Sequence, residues 1–142
     1  MIDGEHMTQL PEEVMKMAND MKAVKVLTTV SADGVLHSIR VGSMVAPAPN
    51  MMAVGAILMK TTAKNLEDMK KKNQPVAILL GSEMNSYLIM AKVKESQKAG
   101  PLFDKMNENL KAIGLQAGAV WVFEPTGVWN QSASYEAGKK VA

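Results

Sequence analysis

The chain reads as a mainly β, α+β protein. It has six to seven antiparallel strands in a closed or nearly closed small barrel, with about three helices filling the gaps. Three observations predict this. Short apolar runs rich in β-branched residues recur along the 142 residues. Most of them are joined by short turns, with Asp33-Gly34 the clearest, and short turns link antiparallel neighbours. Helical spacing is confined to three brief stretches, so strands dominate and a parallel α/β sheet is disfavoured.

The elements follow in order. Leu10, Val14, Met17 and Met21 repeat near helical spacing, with Pro11, Glu12 and Glu13 in the first turn, which predicts a helix over 10–23. VKVLTTVS over 24–31 is a strand, 32–34 a turn and 35–45 its hairpin partner. The run 46–50, APAPN, reads as a loop and 51–58 as a buried strand. Residues 61–72 form a helix closed by Asn73 and Pro75, with Leu66 and Met69 on the buried side. Strands over 75–82 and 86–93 make a hairpin across 83–85. Phe103, Met106, Leu110 and Ile113 keep helical spacing, and Gly114 is the C-cap. The last strands are 118–124 and 128–134, separated by a turn at 125–127, and the tail from Glu136 is polar.

Composition narrows the function. One domain over 1–142 is expected, with residues 1–9 an extension or flexible arm in which Met7 offers an internal start. An apolar content of 47% argues against disorder, and a net charge of +2 is too weak to argue for nucleic acid. Lys70, Lys71 and Lys72 read as a solvated helix end. The absence of cysteine excludes disulfides and thiolate chemistry and fits a reducing cytoplasm. No run approaches the roughly 20 apolar residues of a membrane span, and the opening MIDGEHM lacks the parts of a signal peptide. His6 and His37 are the only histidines, so a zinc site is not expected. No GxSxG, Walker A or GxGxxG motif is present. The 13 methionines fall mostly at apolar positions and read as core filler.

Three places carry candidate chemistry. At the join GAILMKTTAKNL, an apolar strand gives way to Lys60, Thr61 and Thr62 as a helix begins. Free helix N–H groups, an ammonium and two hydroxyls suit a phosphate, although a threonine N-cap beside a surface lysine is the competing reading. In SIRVGS over 38–43, Arg40 interrupts a strand of apolar and small residues. It is either an outward-facing arginine or a donor to an anionic or electron-poor group, and Gly42 would let a flat ring approach the backbone. Lastly, Trp121, Phe123, Trp129 and Tyr135 accompany Asn130, Gln131 and Ser132, a set that either edges a heterocycle or belongs to a core or interface.

The order and spacing of these pieces, from about 24 to 134, resemble the FMN-binding split barrels of the pyridoxamine 5′-phosphate oxidase-like superfamily, close to small bacterial FMN-binding proteins. The hairpin TTVSADGVLH resembles that family's A-T-V-x-x-D-G-x-P-H, with Leu36 where proline is common, and KTTAKNLEDMKKKNQPVAILL resembles its phosphate join and K-N-L helix. The resemblance implies an antiparallel split barrel and FMN as cofactor. It implies phosphate contacts from Lys60, Thr61 and Thr62 and a ring lying along Ile39, Arg40, Val41, Gly42 and Ser43. It also implies a homodimer with FMN at the subunit interface, where Trp129 and Gln131 are candidate contacts from the partner protomer. The implied function is electron transfer or flavin-dependent reduction of a small molecule, with an unidentified redox partner or substrate. No arginine follows Arg40, so the arginine-rich C-terminal segment of true pyridoxamine phosphate oxidases has no counterpart and that activity is not expected. The alternative is a non-catalytic binding or sensing module for flavin, deazaflavin or haem, with His37 the only strand histidine able to serve as an axial ligand.

Overall fold

A computed structural model describes residues 7–142. His6 and most of the expected N-terminal extension lie outside the described residues. The elements run α1 (Glu12–Ala18), β1 (Val24–Val30), β2 (Leu36–Arg40), β3 (Val45–Ala48), β4 (Met51–Gly55), α2 (Lys60–Lys71), β5 (Val76–Ser82), β6 (Asn85–Gln97), α3 (Pro101–Lys111) and β7 (Val120–Asn130). The seven strands form one sheet in the order β2-β1-β5-β6-β7-β4-β3, with every neighbouring pair antiparallel.

That order forces the sheet to curl. Laid flat, six strand spacings of about 4.8 Å would separate the edge strands β2 and β3 by about 29 Å. Yet they are consecutive in the chain, and the link through 41–44 can span at most about 18 Å. The edges approach without pairing, which makes a split barrel. Leu27, Ile78, Ile89 and Phe123 fill its interior, α1 contributes Val14 and Ala18, and α2 contributes Leu66 and Met69. Met106 and Leu110 of α3 pack with Ala53, Ala117 and Val120 in a second, smaller core. A Cβ at Gly55 would crowd this core, meeting Ala117 Cβ at 3.1 Å and Leu110 Cδ1 at 3.3 Å. No helix among the described residues is long and apolar enough to cross a membrane.

Several boundaries differ from expectation for identifiable reasons. The helix expected over 10–23 is only α1, so Met21 is exposed instead of buried. The single strand expected over 35–45 ends at Arg40. The Val41 N–H then donates to Lys25 O at 2.9 Å, and a turn at 41–44 closes with the Met44 N–H on Val41 O at 3.0 Å. The expected loop at 46–50 contains β3. There the Asn19 side chain accepts from the Ala46 N–H at 2.8 Å and donates to Ala46 O at 3.0 Å, acting as a strand partner at the edge. Pro47 is tolerated because an edge strand can spare a donor, and Pro49 lies in the turn that follows. The two strands expected over 118–134 are one, β7, which passes through Pro125 at an irregularity in the pairing with β6, where Met90 faces Gly127 and Ala91 faces Pro125. The strand expected over 51–58 stops at Gly55, and that over 86–93 continues to Gln97 as β6. Ile113 lies beyond α3 and is exposed, while Gly114 takes the left-handed conformation (φ 77°) just after the helix. The tail is not free: the Val141 N–H donates to Val128 O at 2.8 Å and the Asn130 N–H to Lys139 O at 2.8 Å.

Candidate functional site

A cleft of about 440 Å³ opens where the carboxyl end of edge strand β2 meets the start of α2. Its walls divide by chemistry. Arg40, Lys60 and His37 are basic, Thr61 and Thr62 supply hydroxyls, and Ile39, Ile57, Leu58 and Met59 are apolar. No acidic side chain lines it among the described residues. Such walls suit a ligand with an anionic end and an apolar body.

The start of α2 supplies the groups able to receive an anion. The residue at the N-cap is Met59, whose side chain cannot cap, so the threonine N-cap reading does not hold. The first-turn N–H groups have no side-chain partner, and no acidic residue occupies that turn. Thr62 is 1% exposed, and its Oγ1 is buried with no hydrogen-bond partner. A buried hydroxyl without a partner costs about 1–3 kcal/mol. One turn on, Asn65 Nδ2 donates to Thr29 Oγ1 at 3.0 Å, and both residues are buried. This bond ties α2 to β1.

Five of the ten sequence-derived site residues meet in the cleft: Ile39, Arg40, Lys60, Thr61 and Thr62. The others lie elsewhere. Val41 is buried in the core, and Gly42 is exposed in the turn, where a Cβ would meet nothing within 4 Å. Ser43 Oγ accepts from the Gly55 N–H at 3.0 Å and bonds back to Gly55 O at 3.4 Å, tying the turn to β4. These three are therefore not on a strand beside Arg40, because the strand ends before them. Trp129 lies at the far end of β7, its ring packed over Gly127 and the Lys140 ammonium 5.7 Å from its centroid. Gln131 is exposed beyond β7, and its N–H donates to Ser86 O at 2.8 Å. Trp121 borders a second, smaller hollow of about 350 Å³ with Glu67, Lys70, Lys71 and Ser96. The sequence placed Ile57 and Leu58 in a buried strand and Met59 at the end of its apolar run, and it left His37 outside the expected site. The alternation of β2 that pairs His37 and Ile39 on one face was the available signal.

The register also defines the outer face of the sheet. Arg40 pairs with Val26, Val26 with Leu79, Leu79 with Leu88 and Leu88 with Trp129. Directly paired residues share a face. The adjacent row, Leu27, Ile78, Ile89 and Val128, is fully buried in the barrel. The Arg40–Trp129 row is therefore external. It is apolar between its ends, with Leu79 41% exposed.

No protein-family model matches the chain, nor does any curated protein sequence. Solved structures do match. HupZ of Group A Streptococcus superposes with a TM-score of 0.75 at 17% identity, covering 91% of this chain and 99% of that one. An FMN-binding protein of Syntrophomonas wolfei gives 0.70 at 12% identity over 86% and 88%. A proposed pyridoxamine 5′-phosphate oxidase of Lactobacillus delbrueckii gives 0.65 at 18% over 85% and 93%. The chain thus shares the antiparallel, split-barrel fold of these structures. Matching structures also include an F420 reductase and a haem storage protein, so the fold alone does not choose the ligand.

Proposed function

We propose that this chain is an FMN-binding flavoprotein acting in electron transfer or in reduction of a small molecule. The observation that carries the reading is Thr62: a buried, unpartnered hydroxyl at an uncapped helix start, lining a cleft that also holds Lys60, Thr61 and Arg40. These residues fit a phosphate, and Ile39, Ile57 and Met59 fit an apolar ring beyond it. FMN would supply the redox chemistry when bound.

The chain's own residues bind and tune. Lys60, Thr61, Thr62 and the first N–H groups of α2 would hold the phosphate. The Arg40 guanidinium at the mouth would stabilise negative charge on a bound ring and raise its potential. No side chain in the cleft pairs an acid with a base, which suits a carrier better than a substrate-tuned oxidase. We further propose a homodimer in the cytoplasm. The external row from Arg40 to Trp129 offers an apolar face that a second copy would cover, and it begins at the cleft. Trp129 and Gln131 would reach the ligand, if at all, only through that partner.

A second reading, haem, is favoured by His37 in the same cleft as two cations. The visible spectrum of the purified protein separates the two. FMN binding predicts the two-banded yellow spectrum of a flavin and uptake of FMN on titration. A single intense haem band, or a colourless protein that takes up no FMN, would overturn the proposal.

A further inference from the structure

The residue in the cleft that the fold itself does not explain is Leu58. It is 96% exposed, and its backbone is left-handed at φ 53°. A branched side chain rarely adopts that conformation, whereas glycine does so freely. The chain on either side is anchored: Ile57 packs against the core beneath α3, and Met59 against the main core. Leu58 alone is turned outward, on the wall of the cleft. A strained backbone that displays an apolar group at a cleft is conformational cost held ready for a function.

We infer that Leu58 is the lip of the ligand site, where its side chain covers the apolar ring of the phosphate-bearing ligand. The inference rests on the reading of the preceding subsection. Leu58 stands two residues before Lys60, within about 7 Å of chain, so a ring joined to a phosphate at α2 by a short flexible chain reaches it. The cleft's other apolar groups, Ile39, Ile57 and Met59, are partly buried in the protein, so only Leu58 is free to close over a ligand from the solvent side.

The test uses Leu58→Gly, Leu58→Ala and Leu58→Met in the full chain. Melting temperature is measured without ligand, FMN affinity by fluorescence quenching, and inorganic phosphate affinity by competition. Leu58→Gly is expected to raise the melting temperature by about 2 °C by releasing the left-handed strain. It should weaken FMN binding by about tenfold, the scale of partly uncovering a leucine-sized contact. Leu58→Ala should weaken FMN similarly without the thermal gain, and Leu58→Met should keep wild-type affinity. Phosphate affinity should stay within about twofold in all three, because the anionic subsite is untouched. Unchanged FMN affinity in Leu58→Gly overturns the inference alone. So does equal loss of FMN and phosphate, which would mark damage to the helix start. A Leu58→Gly shift in sedimentation without FMN would assign the leucine to a subunit interface and also overturn it. Wild-type protein that binds no FMN would bring down the preceding reading together with this one.

Discussion

The start of α2 and the carboxyl end of β7 gather the same kinds of group: hydroxyls, amides and a cation beside apolar side chains. They differ in whether those groups already have partners. At the end of β7, Ser132 Oγ accepts from the Ser86 N–H at 2.9 Å and donates to Ser86 O at 3.3 Å. Asn130 Oδ1 accepts from the Ser132 N–H at 2.8 Å, and Lys140 lies against Trp129. That region is a latch that closes the β5–β6 hairpin onto β7. At the start of α2, the cap residue offers no acceptor, Thr62 has no partner and Leu58 is strained. Residue type makes either region a candidate; unmet bonding capacity distinguishes the site from the latch.

The largest expected effect lies in ligand binding. Lys60→Ala should weaken FMN by about 1.5–3 kcal/mol, the scale of a hydrogen bond to a charged group, whereas Gln131→Ala, at an exposed position outside the cleft walls, should cost clearly less. Titration calorimetry of both variants checks the contrast. Equal losses would mean that the β7 end contributes to the site.

Fold stability should separate the regions by sign. Ser132→Ala leaves the Ser86 N–H without its acceptor and should destabilise the protein by about 1–2 kcal/mol. Thr62→Val removes an orphan hydroxyl at nearly constant volume, so the ligand-free protein should become more stable by up to about 1 kcal/mol while FMN binding weakens. Urea unfolding without ligand reads both. A destabilised Thr62→Val would show that the hydroxyl already has a partner.

The sequence carried the fold well because its signals were local. Asp33-Gly34 marked the β1–β2 hairpin, and Leu66 and Met69 marked the buried face of α2. Half of the expected site residues line one cleft for the same reason, since Lys60, Thr61 and Thr62 are adjacent and Arg40 stands out in its strand. The rest depended on contacts that are distant in sequence. The Asn19 side chain turns an expected loop into β3 from 27 residues away. Lys25, through its Nζ to Met44 O at 2.8 Å, holds the turn that removes Val41, Gly42 and Ser43 from the strand. Neither partnership leaves a periodicity to read.

Lys25 is itself a partnered group with a pH signature. Burial pushes its ammonium below the ordinary 10.5, only partly offset by Asp20. Between the lowered folded value and 10.5, the unfolded chain binds more protons, so stability should rise with pH across that window. Below it both states are protonated and the slope from this group vanishes. Lys25→Met should remove the rise, seen as a flatter pH dependence of the urea midpoint. A rise that persists in the variant would place its origin elsewhere.

The smallest effect tests where the site ends. Gly42 adjoins Val41 in the turn that Lys25 holds, outside the cleft walls, with open space where a Cβ would stand and no left-handed backbone to strain. Gly42→Ala should therefore change stability by no more than about 0.5 kcal/mol, the range of an unremarkable surface substitution. FMN affinity should be equally unmoved, because the walls of the cleft include Arg40 and none of the turn beyond it. A clear loss of FMN in Gly42→Ala would mean that a bound ring passes over the turn after all. The open side of the cleft would then lie along 41–44, not along Leu58, and the boundary between the unfilled region and the closed one would have to be redrawn through the β2–β3 link.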